Sequence, residues 1–89
     1  MLKLLLGREA KKFLDTLPPK QFRQVINKIL SLLENPRPND SAELKGYPFL
    51  RVDIGEYRII YDKYENNVLR IILIGKRNDN AVYLSLKLK

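Results

Sequence analysis

The apolar positions of this chain change period once. From Arg8 to Leu33 they recur at intervals of three and four, and from Phe49 to Gly75 they alternate or run together between short polar turns. The first period belongs to helices packed by one face, the second to strands. Ahead of both lies "LKLLL", residues 2 to 6, too short and too soon followed by charge to be a helix, and so a first strand. In the helical region Ala10, Phe13, Leu14 and Leu17 share one face, with Lys11, Lys12 and Asp15 on the other. Pro18 and Pro19 break this helix, and Pro19 suits the first turn of a second. Along it Phe22, Val25, Ile26, Ile29, Leu30 and Leu33 repeat at helical spacing. "NPRPND", residues 35 to 40, ends it, because a residue before proline avoids the α region.

The strand region opens with "FLRVDI", turns at Gly55-Glu56, continues as "YRIIYDKY", turns at Glu65-Asn66-Asn67 and runs on as "VLRIILIG". Three strands joined by tight turns make an antiparallel meander. "AVYLSL", near the end, fits a fourth strand or a single helical turn. The expected fold class is α+β, with an N-terminal strand and a helical hairpin packed on an antiparallel sheet, as one domain over residues 1–89.

Strand pairing then assigns faces. With Gly55 and Glu56 as a two-residue loop, Ile54 pairs with Tyr57, Asp53 with Arg58 and Val52 with Ile59. Val52, Ile54, Tyr57, Ile59 and Tyr61 form one face, the floor for the helices, and Arg51, Asp53 and Arg58 form the other. With Asn66 and Asn67 as the next two-residue loop, Arg58 lies opposite Gly75 and Arg77 follows on the same side. A three-residue loop would shift the register and invert the last strand.

Composition adds a sign to that face. The 89 residues include 17 Lys and Arg against 10 Asp and Glu, a net charge of +7, which favours a polyanionic or acidic partner. Arginines at 51, 58 and 77 around a glycine make a cradle for phosphate, since guanidinium meets it through paired hydrogen bonds. The alternative is a solvated, salt-bridged sheet in which Asp53 pairs Arg58 across the hairpin. Lys11 and Lys12 read as the wet side of an amphipathic helix, and Tyr57, Tyr61 and Tyr64 as packing residues. Tyr83 reads as a strand or core aromatic.

Other chemistries are excluded. Without cysteine there is no disulfide, thiol nucleophile or zinc-finger spacing, and without histidine no neutral-pH proton shuttle. "GKRNDN" has one glycine and no phosphate-loop spacing, and no cluster proposes a metal site. "MLKLLLG" runs at once into "REAKK", lacking a signal-peptide core, and no stretch is long enough to span a bilayer. The expectation is a soluble, cytoplasmic protein with no membrane partner.

In order, "ELKGYPFLRVDIGEYRIIY" followed by "VLRIILIGKRNDNAVY" resembles the RelE branch of the RelE/ParE toxins of bacterial type II toxin-antitoxin pairs. The likeness covers nearly the whole chain, including the first strand, the helical hairpin with "LP" at its bend and the leucine-lysine-glycine step. It implies the RelE-like microbial RNase fold and a ribosome-dependent mRNA endonuclease that needs neither metal nor small-molecule cofactor. It also implies two partners: the ribosome with mRNA in its A site, and a cognate antitoxin protein. By motif, the catalytic candidates are Arg58 of "YR", Arg77 of "GKR", Tyr83 of "VY" and Arg51 in the preceding strand. Asp53 joins them as a departure, standing where well-described members carry lysine. Lys45, Lys76, Lys11 and Lys12 are the candidate RNA-binding cations. Two rival readings stand beside this one: a ParE-like inhibitor of DNA gyrase, and a basic RNA-binding module without chemistry.

Overall fold

The computed structural model describes residues 1–77. In chain order the elements are β1 (Lys3–Leu6), α1 (Arg8–Leu14), α2 (Pro19–Glu34), β2 (Ala42–Glu43), β3 (Leu50–Ile54), β4 (Tyr57–Tyr64) and β5 (Val68–Lys76). The helices follow from the sequence signals. Pro19 opens α2 with the φ a first turn requires, and Asn35, extended before Pro36, closes it. Helix α1 is shorter than its apolar period, because the pair Pro18-Pro19 denies the α conformation to Leu17, which lies in the turn beyond. Among the described residues no helix is long and apolar enough to cross a membrane.

The strands form one five-stranded sheet in the order β1-β5-β4-β3-β2. Its last four strands pair antiparallel, as the meander predicts, but β1 joins β5 in parallel, with Lys3 beside Val68 and Leu6 beside Ile71. The sheet is therefore mixed rather than purely antiparallel, and a two-residue strand, β2, covers part of the β3 edge. Neither feature has a period long enough to announce itself: β2 is only Ala42 and Glu43, and parallel partners leave no turn signal between them.

The two helices cover one face. Val25, Ile29, Leu32 and Leu33 of α2 and Ala10 and Leu14 of α1 pack on Val52, Tyr57, Ile59, Tyr61, Leu69 and Ile71, with Ile54 at the margin. Every residue predicted to form the helix floor is in this cluster. Tyr61 is fully buried, and its hydroxyl donates to the carbonyl oxygen of Pro36 at 2.7 Å, fastening the segment after α2 to the sheet.

The β3–β4 hairpin has the predicted register, Ile54 opposite Tyr57 and Asp53 opposite Arg58, with Gly55 at φ +57° in its turn. The β4–β5 hairpin differs from expectation in two ways that cancel. Its loop is three residues, 65–67, with Asn66 and Asn67 both at positive φ, and Tyr64 pairs with Val68. Further along, Tyr61 pairs with Ile71 while Ile60 pairs with Leu73, leaving Ile72 as an extra residue in β5. The longer loop shifts the register by one and the bulge shifts it back, so Arg58 still lies opposite Gly75. The segment "AVYLSL", with Tyr83, lies outside the described residues.

Candidate nucleic-acid interface

The sheet face turned away from the helices carries the predicted charges. Arg51 and Asp53 project from β3 and Arg58 from β4, with the buried Gly75 directly opposite Arg58. Arg58 Nε donates to Asp53 Oδ1 at 2.7 Å and its Nη2 to Oδ2 at 3.1 Å, a fork-on-fork pair. Arg51 Nη1 lies 4.0 Å from the same Oδ2. Arg77 follows β5 in an exposed turn, its backbone N–H donating to the Glu56 carbonyl at 2.9 Å.

These contacts set the state of Asp53. The hydrogen bonds from Arg58 hold its carboxyl below the usual carboxylate value, against the opposing push of burial, and the fields of Arg58, Arg51 and Arg77 add to the lowering. Arg58 and Arg51 thus flank one carboxylate, and the charge of Arg77 acts on it from farther away. The Arg58 side chain is only 17% exposed, so its orientation is fixed by packing as well as by the ion pair.

The candidate lysines are arranged differently. Lys11 and Lys12 sit on α1, in the helical layer, where they pair with Asp15 at 3.0 Å and Glu9 at 3.9 Å. Lys76 is opposite Tyr57, a residue of the helix-side core, and so falls on the helix side of the sheet. Lys45 is exposed in the turn after β2. None of the four joins the arginine cluster directly.

Two features of this face had no counterpart in the sequence reading. Arg70 and Asp62, opposite each other on β5 and β4, form a second forked pair through bonds of 3.1 and 2.6 Å. The signal was there in the three-residue loop, which sets Asp62 against Arg70. Between the two ion pairs lies a small apolar cluster, Leu44, Ile60 and Leu73, with Tyr47, Phe49 and Ile72 packed against it. The bulge explains its depth, since the extra residue puts Ile72 and Leu73 together on this side. Among the described residues no group of three or more His, Cys, Asp or Glu side chains is placed to hold a metal ion.

A family model for the ParE toxin of the type II toxin-antitoxin system, parDE, matches residues 4–81. No curated protein is significantly similar in sequence. Among solved structures, the toxin of the intact Escherichia coli RelBE toxin-antitoxin complex superposes with a TM-score of 0.74 at 25% identity, over 85% of this chain and 96% of that one. An arginine-to-alanine double mutant of the E. coli toxin RelE in the free state gives 0.78 at 25% identity, over 98% and 96%. In fold alone, the archaeal RelE-RelB complex from Pyrococcus horikoshii is similar, with a TM-score of 0.74 at 24% identity over 85% and 94%.

Proposed function

Because the chain belongs to the ParE toxin family of type II toxin-antitoxin systems and has a RelE-like fold, we propose that it is a ribosome-dependent mRNA endonuclease held silent by an antitoxin. The observation that carries this reading is the pair Arg51 and Arg58 on one sheet face around Asp53, with Arg77 near enough for its charge to act on the same carboxylate. Guanidinium groups gathered near one face are suited to a phosphodiester.

The chemistry proposed is in-line attack. The ribose 2′-oxygen bonds to the adjacent phosphorus as its proton leaves, and the bond from phosphorus to the 5′-oxygen breaks as that oxygen gains a proton. The products are a 2′,3′-cyclic phosphate and a free 5′-hydroxyl. Arg58 and Arg77 hold the scissile phosphate and stabilise the charge of its pentavalent state, and Arg51 adds a further phosphate contact. Guanidinium stays protonated at neutral pH, so these groups act through charge more than as proton shuttles. Asp53, with both oxygens engaged by Arg58 and its acidity increased, is a weak base, and we assign it the orientation of Arg58. Tyr83 is assigned the stacking or orientation of a nucleotide. The ribosome supplies alignment of the message, and the RelBE and RelE-RelB complexes among the structural neighbours support an antitoxin partner of RelB type.

The test is a map of 5′ ends on a reporter message during cell-free translation, with the wild-type protein, with Arg77→Ala and without ribosomes. Cuts within codons that require both ribosomes and Arg77 are expected. The match to the ParE model favours a second reading, inhibition of DNA gyrase. Intact messages together with loss of supercoiling activity in a gyrase assay would select it.

A further inference from the structure

We infer that Tyr47 and Phe49 form a nucleobase-stacking subsite that helps to choose which message position is cut. The inference rests on the nuclease reading above and adds to it a determinant of sequence preference. The two rings are nearly parallel, 9° apart, with centroids separated by 6.3 Å. Parallel rings that far apart either overlap little or leave a gap between them, so each keeps most of one face for another ring. Both residues are half-buried, anchored on Leu44, Ile60 and Leu73, and this support fixes the rings before any ligand arrives.

Position gives the pair its partner. Phe49 immediately precedes β3 and lies on the same sheet face as Arg51, two residues on, a separation of about 7 Å along an extended chain. A nucleotide whose phosphate contacts Arg51 therefore has its base within reach of the rings. An open hollow of ≈ 270 Å³ beside them is lined by Tyr47, Phe49, Pro48 and Leu50, with Arg37 and Glu43. Arg37 offers a further charge for phosphate or a planar face for a base, and Glu43 an acceptor for a base N–H. Two half-buried aromatic rings adjoining an arginine-bearing face fit a base-plus-phosphate ligand better than a purely anionic one. Unpaired bases stack on aromatic side chains whatever their sequence, with the larger purine surface favoured.

The experiment uses ribosomes programmed with short messages that carry each of the four bases, or an abasic residue, at each codon position in turn. Cleavage rates are compared for wild type, Tyr47→Leu, Phe49→Leu, the double leucine variant and Tyr47→Phe. Leucine keeps the apolar cover but removes the π face. At one codon position, wild type is expected to favour purines over pyrimidines over the abasic residue. The double variant is expected to lose about tenfold on the purine message, and little on the abasic one. Tyr47→Phe should retain the wild-type ranking. A uniform fall on all messages, or no change on any, would overturn the subsite while leaving the arginine-dependent nuclease standing. Failure of the wild-type protein to cut any message would remove both.

Discussion

Arg58 and Asp53 lie directly opposite each other in the β3–β4 ladder, and the guanidinium closes on the carboxylate through both of its oxygens. An ion pair of this form on a partly buried sheet face has two consequences that can be measured separately. It ties one hairpin together, and it fixes the plane in which the Arg58 guanidinium lies.

The Asp53→Asn variant is expected to lose about 1.5–3 kcal/mol of stability at neutral pH, the range for hydrogen bonds to charged groups, read from urea unfolding. The sign of the pH effect follows from the lowered pKa. The native carboxyl stays ionised below the ordinary 3.8 at which the unfolded one gains its proton. Its contribution is therefore complete above that value and is lost as pH falls through the native pKa. Asp53→Asn should lack this part of the acid transition. Cleavage should fall by no more than about tenfold if Asp53 only orients Arg58. A loss of about a hundredfold or more, the range for removing a general base, would give it that role instead.

Inorganic pyrophosphate should raise the melting temperature by several degrees, more than sodium chloride at equal ionic strength. An anion bound only by the folded arginine face stabilises by mass action, about 2.7 kcal/mol when present at a hundred times its Kd. Replacing both Arg51 and Arg77 with glutamine should remove the difference between the two salts. Equal shifts in wild type and variant would place the anion elsewhere on a chain of net charge +7.

Tyr61→Phe should cost about 1 kcal/mol, because the Pro36 carbonyl loses its buried donor. Burial raises the Tyr61 pKa above the ordinary 10.0. The folded state thus keeps the neutral phenol while the unfolded chain ionises, and this contribution holds below pH 10.0 and fades as pH climbs through the native value. The alkaline limb of a stability profile should be shallower in the variant.

Two glycines should respond differently to alanine. A methyl group at Gly7 would sit 2.6 Å from the Ile71 carbonyl oxygen and 3.3 Å from that of Ile72, both backbone atoms at the bulge. Gly7→Ala should cost about 2 kcal/mol or more and reduce cleavage as well, since the bulge sets the register of the arginine face. At Gly55 the nearest atom is the flexible Gln24 side chain, at 2.9 Å, and the cost comes chiefly from φ +57°. Gly55→Ala should lose about 1–2 kcal/mol. Chemical denaturation of both variants, followed by the cleavage assay, checks the contrast.

Where a signal was local, the sequence carried it. The Gly55-Glu56 turn fixed five cross-strand pairs, and with them both faces of β3 and β4. The position of Gly75 opposite Arg58 was also legible, though by a different route: a two-residue loop and a three-residue loop plus one bulge give the same final register. No pattern in "VLRIILIG" distinguishes them, because an all-apolar run looks the same with one residue inserted. The parallel docking of β1 was hidden for a related reason, since its partner lies at the far end of the chain and no turn connects them. In the candidate site, charge type and alternation found Arg51, Asp53 and Arg58 on one face. The lysines could not be sorted in this way, because Lys11 and Lys12 belong to a helix on the other side, and Lys76 alternates to that side too.

Pairing between Lys3–Leu6 and residues 68–71 means that, of the described strands, the first to be made is among the last to be seated. While the chain is being synthesised, β1 has no partner until the second half of the hairpin that carries Arg58 has been made. Closing so long a loop is also a slow step in folding. Partial chains would leave the backbone of Lys3–Leu6 without a neighbouring strand and carry no assembled arginine face. The arginine face of this toxin would thus be complete only after β5 has been made.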